Sequence, residues 1–322
     1  MNKKKFKKIA FLFFFCFCIQ TGFQIITFTF IQSPTHSPTQ LPTNSPTHSP
    51  TIAKTLRPTP KDNRVRLSFI HIPKTAGTSF YNSFKRKFKF KESSPGFDEL
   101  SLPYYETQNA TNLFTFFRDP SRHVYSQYLE CKWDHWGLRV TNNTKFPRRH
   151  AENEKTGYMP DFFDWLRHFN RTSITKSHFH CYHPLNMQVR YLQSHKKIPH
   201  NVDVDALYFT NQTKEQIKKL KFFGLTEAYT LTTCILEYML LNNTVPKHCD
   251  CTFGNPTQPK FLEQKKITHG VPPHPFEVLN NVTKHLIQDL TKQDALLYDY
   301  AKILFWKRVK TIENKSGIIF CR

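Results

Sequence analysis

The sequence predicts an α/β fold, a central parallel sheet flanked by helices, on three observations. Leu67 to Ile72 is a run of apolar and β-branched residues suited to a buried strand, and Phe80, Tyr81 and Phe84 begin a helix soon after it. Leu113 to Phe117 is a second such run, followed by Pro120, a residue suited to the first turn of a helix. Phe222 to Leu225 is a third, with a Thr226-capped helix behind it that reaches Leu241. Strands that alternate with helices pair in parallel and gather their loops at the C-terminal strand ends, where ligands bind.

At the start of the chain, Lys3, Lys4, Lys5, Lys7 and Lys8 precede an apolar run from Ile9 to Ile31 that no ionised side chain interrupts. At about 1.5 Å per residue this run is long enough to cross a bilayer. The positive-inside rule then puts residues 1–8 in the cytosol and everything after residue 31 across the membrane. A cleaved signal peptide with its core at Ile9 to Ile19 is the alternative; apolar character that continues to Ile31 favours the uncleaved anchor. Residues 32–62 carry a Pro-Thr repeat from Ser33 to Thr51, a composition that buries no core and stays extended as a stem open to O-glycosylation. The globular part is therefore residues 63–322. Asn109, Asn142, Asn170, Asn211, Asn242, Asn281 and Asn314 all begin N-x-S/T sites within it, which supports a lumenal or extracellular address.

The formal net charge of +22 favours a polyanionic partner. Without zinc-finger spacing or an RNA-binding aromatic motif, nucleic acid is not the expected one. Cys131, Cys181, Cys234, Cys249, Cys251 and Cys321 lie beyond the anchor, an even number that suggests disulfides of undetermined pairing. Cys249 and Cys251 are too close to bridge each other easily, so each pairs elsewhere. A metal reading of these cysteines with His248 lacks a second CxxC-type pair.

Within the globular part, LSFIHIPKTAGTS (Leu67 to Ser79) reads as strand, tight loop and helix start. Pro73 is expected to end the strand, Gly77 to allow the turn, and Thr78 and Ser79 to cap the helix. Backbone N–H groups and a positive dipole end then converge beside the Lys74 ammonium, a cradle for a phosphate. Lys74 precedes Gly77, so this is not the GK[ST] order of the nucleotide triphosphate loop. The KRKFKFK run from Lys85 to Lys91 reads either as a basic strand facing an acidic acceptor or as a solvated edge. After the second strand, Arg118 at the strand end and Ser126 two turns along the helix are placed to share one phosphate, the guanidinium gripping it through two N–H groups. Pairing of Arg118 with Asp119 or Glu130 is the plainer alternative. Thr213 with Gln216 has the pattern of a capping box for a basic helix, and Leu297, Tyr298, Ala301, Leu304 and Phe305 keep helical spacing in the last one.

PKTAGTS resembles the loop by which sulfotransferases hold the 5′-phosphosulfate of 3′-phosphoadenosine 5′-phosphosulfate (PAPS), and FFRDPSRHVYSQYLECKW resembles the second PAPS-binding motif of Golgi carbohydrate sulfotransferases, above all the heparan sulfate 6-O-sulfotransferase branch. NMQVRYL (Asn186 to Leu192), FFGLTEAY (Phe222 to Tyr229) and DALLYDYAKILFWKR (Asp294 to Arg308) resemble that family's middle and C-terminal regions, in family order. The resemblance implies a P-loop-like PAPS-binding fold and a single-pass type II protein of the Golgi membrane with its catalytic domain in the lumen. It also implies transfer of a sulfuryl group from PAPS to a hydroxyl of an acidic or neutral glycan, with heparan-sulfate-like polysaccharide favoured and no metal. Lys74 would be the cation at the bridging oxygen. The backbone of Thr75, Ala76, Gly77, Thr78 and Ser79 would hold the 5′-phosphate, and Arg118 and Ser126 the 3′-phosphate.

One departure stands out. The related 2-O- and 6-O-sulfotransferases place a general-base His between the two motifs, and this chain has no His between His71 and His123. Glu99 is the first candidate base, with Glu106 and His123 as alternates. Two other function classes use the same features: a lumenal nucleotide-dependent kinase, against which the missing GK[ST] ending counts, and a glycan-binding protein that has lost catalysis.

Overall fold

A computed structural model describes residues 68–84, 99–141, 159–171, 181–199, 207–252, 271 and 279–322, all of them within the compact unit Lys61–Arg322. The expected cytosolic tail, anchor and stem, and the KRKFKFK run, lie outside the described residues. No helix among the described residues is long and apolar enough to cross a membrane.

The molecule is α/β, as expected: three parallel strands in the order β1 (Ser68–Ile70), β2 (Leu113–Phe117), β3 (Phe222–Leu225), flanked by helices. In register, Phe69 pairs with Phe114, and Thr115 with Phe223. All of β2 is buried, which a strand covered on both faces by crossover helices requires. Helix α1 (Gly77–Phe84) follows β1, and α2 (Leu102–Thr107) precedes β2. Between β2 and β3 come α3 (Pro120–Trp133), α4 (His135–Thr141), α5 (Phe162–Arg171), α6 (Met187–Gln193) and α7 (Asn211–Lys219). After β3 come α8 (Tyr229–Leu240), α9 (Asn281–Leu290) and α10 (Lys292–Ser316).

Aromatic packing joins β1, β2 and α1. Phe80 lies 5.1 Å from Phe114 and 4.6 Å from Phe84, centroid to centroid, and Phe69 lies 4.8 Å from Phe114. Such pairs add about 0.5–1.5 kcal/mol each beyond the area they bury. Leu297, Tyr298, Ala301 and Phe305 of α10 are buried, the core stripe their spacing predicts, while Leu304 is only half-buried.

Four local expectations are corrected. The strand ends at Ile70, two residues before the apolar run does, because Ile72 N–H turns back onto the Ile70 carbonyl and both the N–H and the hydroxyl of Thr75 reach the Ile72 carbonyl. Helix α1 starts at Gly77, so Thr78 and Ser79 lie inside its first turn instead of capping it. The capping box of α7 is formed by Thr210 and Thr213, one turn earlier than Thr213 with Gln216. Thr226 does not cap α8; it opens a short 3₁₀ turn, and its hydroxyl donates to the Phe117 carbonyl, tying the ends of β2 and β3.

Cys131–Cys181, Cys234–Cys249 and Cys251–Cys321 are disulfides. Cys249 and Cys251 pair elsewhere, as their closeness in sequence requires. The bond between Cys234 and Cys249 also uses the two thiolates that a metal centre with His248 would need.

Candidate active site

The site gathers where β1 and β2 end. After Ile72 the chain turns through Pro73 to Ala76, with Lys74 at φ 64° and Ala76 at φ 73°, both left-handed. These two residues, and not Gly77, make the sharp turn. Gly77 is needed for a different reason: a Cβ there would sit 2.2 Å from Cδ2 and Nε2 of His71, whose ring covers it. The loop's carbonyls are pinned inward. His123 Nε2 lies 2.7 Å from the Pro73 carbonyl, and Arg118 Nη1 donates to the Lys74 carbonyl at 2.9 Å. With carbonyls turned toward α3, the N–H groups of Ala76, Gly77, Thr78 and Ser79 find no backbone carbonyl among the described residues; the first N–H of α1 to do so is Phe80, on Ala76 O. Free N–H groups at a helix start, in a loop with left-handed turns, form an anion-binding nest. The Thr78 and Ser79 hydroxyls also make no hydrogen bond among the described residues and are half-exposed, whereas Thr75 spends its hydroxyl inside the turn.

Two cationic side chains belong to this loop or touch it. The Lys74 ammonium forms an ion pair with the Glu130 carboxylate of α3, both side chains largely buried. Arg118, half-buried at the end of β2, takes neither Asp119 nor Glu130 as hydrogen-bond partner. Asp119 caps α3 by accepting from the Arg122 N–H at 3.0 Å, and Glu130 is engaged by Lys74. Burial lowers the Arg118 guanidinium from its ordinary range, and the nearby Glu227 carboxylate opposes that. Glu227 sits just past β3, where it accepts from the Asp119 N–H at 2.9 Å and the Tyr298 hydroxyl at 2.8 Å. At about 100° per residue, His123, Ser126 and Glu130 share one arc of α3, and two of the three touch the loop. Ser126 is buried on that arc, and its hydroxyl makes no hydrogen bond among the described residues.

The candidate bases separate. Glu99 lies within electrostatic reach of the Lys74–Glu130 pair: burial pushes its carboxyl up to about 8, Tyr182 pulls it down through a hydrogen bond, the Glu130 charge pushes it up and the Lys74 charge pulls it down. The Tyr182 hydroxyl donates to Glu99 Oε1 at 3.3 Å. Glu106 does not belong to the site. Its carboxylate pairs with Lys219 at 3.2 Å on the surface beside the start of β3, the opposite end of the sheet from the loop. His123 is fully buried, and burial holds its imidazole down to about 3, with the Pro73 carbonyl opposing. It is a neutral clamp on the loop, with none of its surface exposed.

The sequence did not single out Gln188, Glu227 or Tyr182, and gave Glu130 only as a partner for Arg118. Each acts through a contact distant in sequence, and the one local signal was the place of Glu227 directly after a strand. Compared with known proteins, the chain matches no family model, and no curated protein matches it.

Proposed function

We propose that this protein is a PAPS-dependent carbohydrate O-sulfotransferase. In this reading it is held in the Golgi membrane by residues 9–31, and its lumenal domain adds sulfate to a glycan hydroxyl, a heparan-sulfate-like chain being the favoured acceptor. The observation that carries the reading is the bond from Arg118 to the Lys74 carbonyl, which seats a guanidinium on the same loop that carries the Lys74 ammonium and the N–H nest. A nucleotide with phosphates at both its 5′ and 3′ ends needs two such cationic points, and the PKTAGTS and RDPSRHVYS resemblances assign them accordingly. The finer fold assignment, a P-loop-like sulfotransferase domain, belongs to the same proposal.

The chemistry follows from these groups. The acceptor oxygen forms a bond to sulfur as the bond from sulfur to the 5′-phosphate oxygen breaks. The acceptor proton passes to Glu99, and the charge left on the phosphate is met by Lys74 and the nest. Lys74 exchanges Glu130 for a phosphate oxygen when the donor binds. A carboxyl with a pKa near 8 is a stronger base than an ordinary one, once ionised. No step asks for a metal. The lumenal address is supported by the exposure of Asn109, Asn170, Asn211, Asn242, Asn281 and Asn314, the sequon asparagines among the described residues.

The test is to incubate the purified full-length protein with radiolabelled PAPS or ATP and a panel of glycans. Sulfate transfer that Lys74→Ala abolishes and the exposed Lys218→Ala leaves intact supports the proposal. Phosphate transfer from ATP would replace it with a kinase, and glycan binding without turnover with a lectin-like role.

A further inference from the structure

Arg118 lies outside the last ladder pair of β2, so something other than the sheet must hold its main chain. That holder is Gln188, a fully buried residue of α6. Its Oε1 accepts from the Arg118 N–H at 2.9 Å, and its Nε2 donates to the Arg118 carbonyl at 2.9 Å. One side-chain amide thus satisfies both main-chain groups of one residue, as a neighbouring strand would. Gln188 is fixed in turn from α10. The Asp294 carboxylate accepts from the N–H groups of Gln188 and Val189 at 3.1 and 2.8 Å, and Asn186 Oδ1 accepts from the N–H groups of Gln293 and Asp294 at 2.9 and 3.3 Å. The starts of α6 and α10 therefore cap each other, and the tip of that joint is the amide that grips Arg118.

The side chain so rooted reaches back to the Lys74 carbonyl, at the edge of the nest. Only Gln188 grips Arg118 on both main-chain groups among the described residues, so the direction in which the guanidinium leaves the sheet is set from α6. Building on the nucleotide reading above, we propose that Gln188 is a positioning residue for Arg118, and that it sets the preference for a nucleotide bearing a 3′-phosphate over one bearing a 5′-phosphate alone.

The test is calorimetric titration of the full-length protein, wild type and Gln188→Met, with adenosine 3′,5′-bisphosphate and with adenosine 5′-monophosphate. Methionine keeps the length and loses both hydrogen bonds. The expected result is a loss of about tenfold or more in affinity for the bisphosphate, the scale of one or two lost hydrogen bonds, with less than a twofold change for the monophosphate. Gln188→Glu, which keeps the acceptor and loses the donor, is expected to fall between, and it carries the test if the methionine variant does not fold. A parallel loss for both nucleotides, or no loss for either, overturns the proposal, because a merely structural role changes both together. A wild-type protein that binds neither nucleotide overturns the nucleotide reading itself, an outcome distinct from a failure of Gln188.

Discussion

His123 Nε2 meets the Pro73 carbonyl at 2.7 Å, one residue before the carbonyl that Arg118 holds. Two consecutive loop carbonyls are thereby drawn to one side, which is why the following N–H groups face the other. Replacing His123 with Phe is expected to weaken adenosine 3′,5′-bisphosphate binding by about tenfold, the scale of one lost buried hydrogen bond and the loop order it maintains. The pH profile of turnover should keep its shape, and loss of a limb would instead make His123 an acid–base group. The same burial has a consequence for stability. The folded pKa of about 3 lies below the unfolded value of about 6.5, so native stability is fully present above pH 6.5 and declines as pH falls toward 3. Denaturant melts at pH 7 and pH 5 should show a smaller acid loss in His123→Phe than in wild type.

Arg118→Lys tests whether the guanidinium's shape matters or only its charge. A lysine keeps the charge but carries its N–H groups on a single nitrogen, so it cannot hold the Lys74 carbonyl with one nitrogen and present a planar pair of N–H groups to a phosphate with others. Bisphosphate affinity is expected to drop about 10- to 100-fold, as befits the loss of a two-point contact with a charged ligand. An unchanged titration would mean that Arg118 does not touch the nucleotide.

Glu99 gives a sharper pH signature. Burial pushes its carboxyl up to about 8, against the opposing Tyr182 hydrogen bond, so turnover should rise with pH and level off above that value. Glu99→Gln should abolish turnover while leaving bisphosphate binding within about twofold. The sign for stability is the reverse of that for His123. A folded pKa raised above the ordinary carboxyl value of 4.5 means that stability falls as pH climbs from about 4.5 to 8. The Gln variant should therefore melt higher than wild type at pH 8, and show little difference at pH 4. Equal melting temperatures at both pH values would show that the carboxyl is not desolvated.

These contrasts mark how far the sequence can be read. The strand positions were legible because apolar runs such as LFTFF name a buried parallel strand directly, and the loop because Lys, Gly and Thr fall together after one. The turn chemistry was not. Gly77 looks like the flexible residue, yet the left-handed positions are Lys74 and Ala76, because the pinned carbonyls dictate them. Gln188 and Glu227 were invisible for another reason. A polar residue's partner is fixed by packing, and theirs lie 70 and 108 positions away.

Neighbouring positions in the loop should respond in opposite directions to small substitutions. Ala76 has φ 73°, where a Cβ costs roughly 1–2 kcal/mol. Ala76→Gly is therefore expected to raise unfolding free energy by up to about 1 kcal/mol, after the extra chain entropy of glycine is subtracted. Gly77→Ala adds a Cβ 2.2 Å from the His71 ring and should lower it by roughly 1–3 kcal/mol. Urea titration of both variants checks the pair, and a shared sign would refute this account of the loop.

The disulfides should separate by function as well as by stability. Cys131 lies on α3 one residue after Glu130, and Cys181 precedes Tyr182, the residue that holds Glu99. The Tyr182 N–H also donates to Cys131 Sγ at 3.4 Å, and Trp136 packs on the Tyr182 ring at 5.1 Å. This bridge thus fastens Glu130 and Tyr182 around the candidate base. Closing 50 residues of chain, it should contribute about 4 kcal/mol by loop entropy alone. Cys251–Cys321 instead ties residue 251 to the chain after α10, beside the Asp250–Phe320 bridge, and shares no residue with α3 or with the segment that carries Tyr182. Replacing Cys131 and Cys181 with serine should destabilise the fold and loosen Tyr182, further exposing the half-buried Glu99 to water. The inflection in turnover should then move from about 8 toward 4.5, since burial is the largest cause of the shift. Replacing Cys251 and Cys321 should lower stability but leave the inflection in place. If both double variants move it equally, the link from the first bridge to Glu99 is wrong.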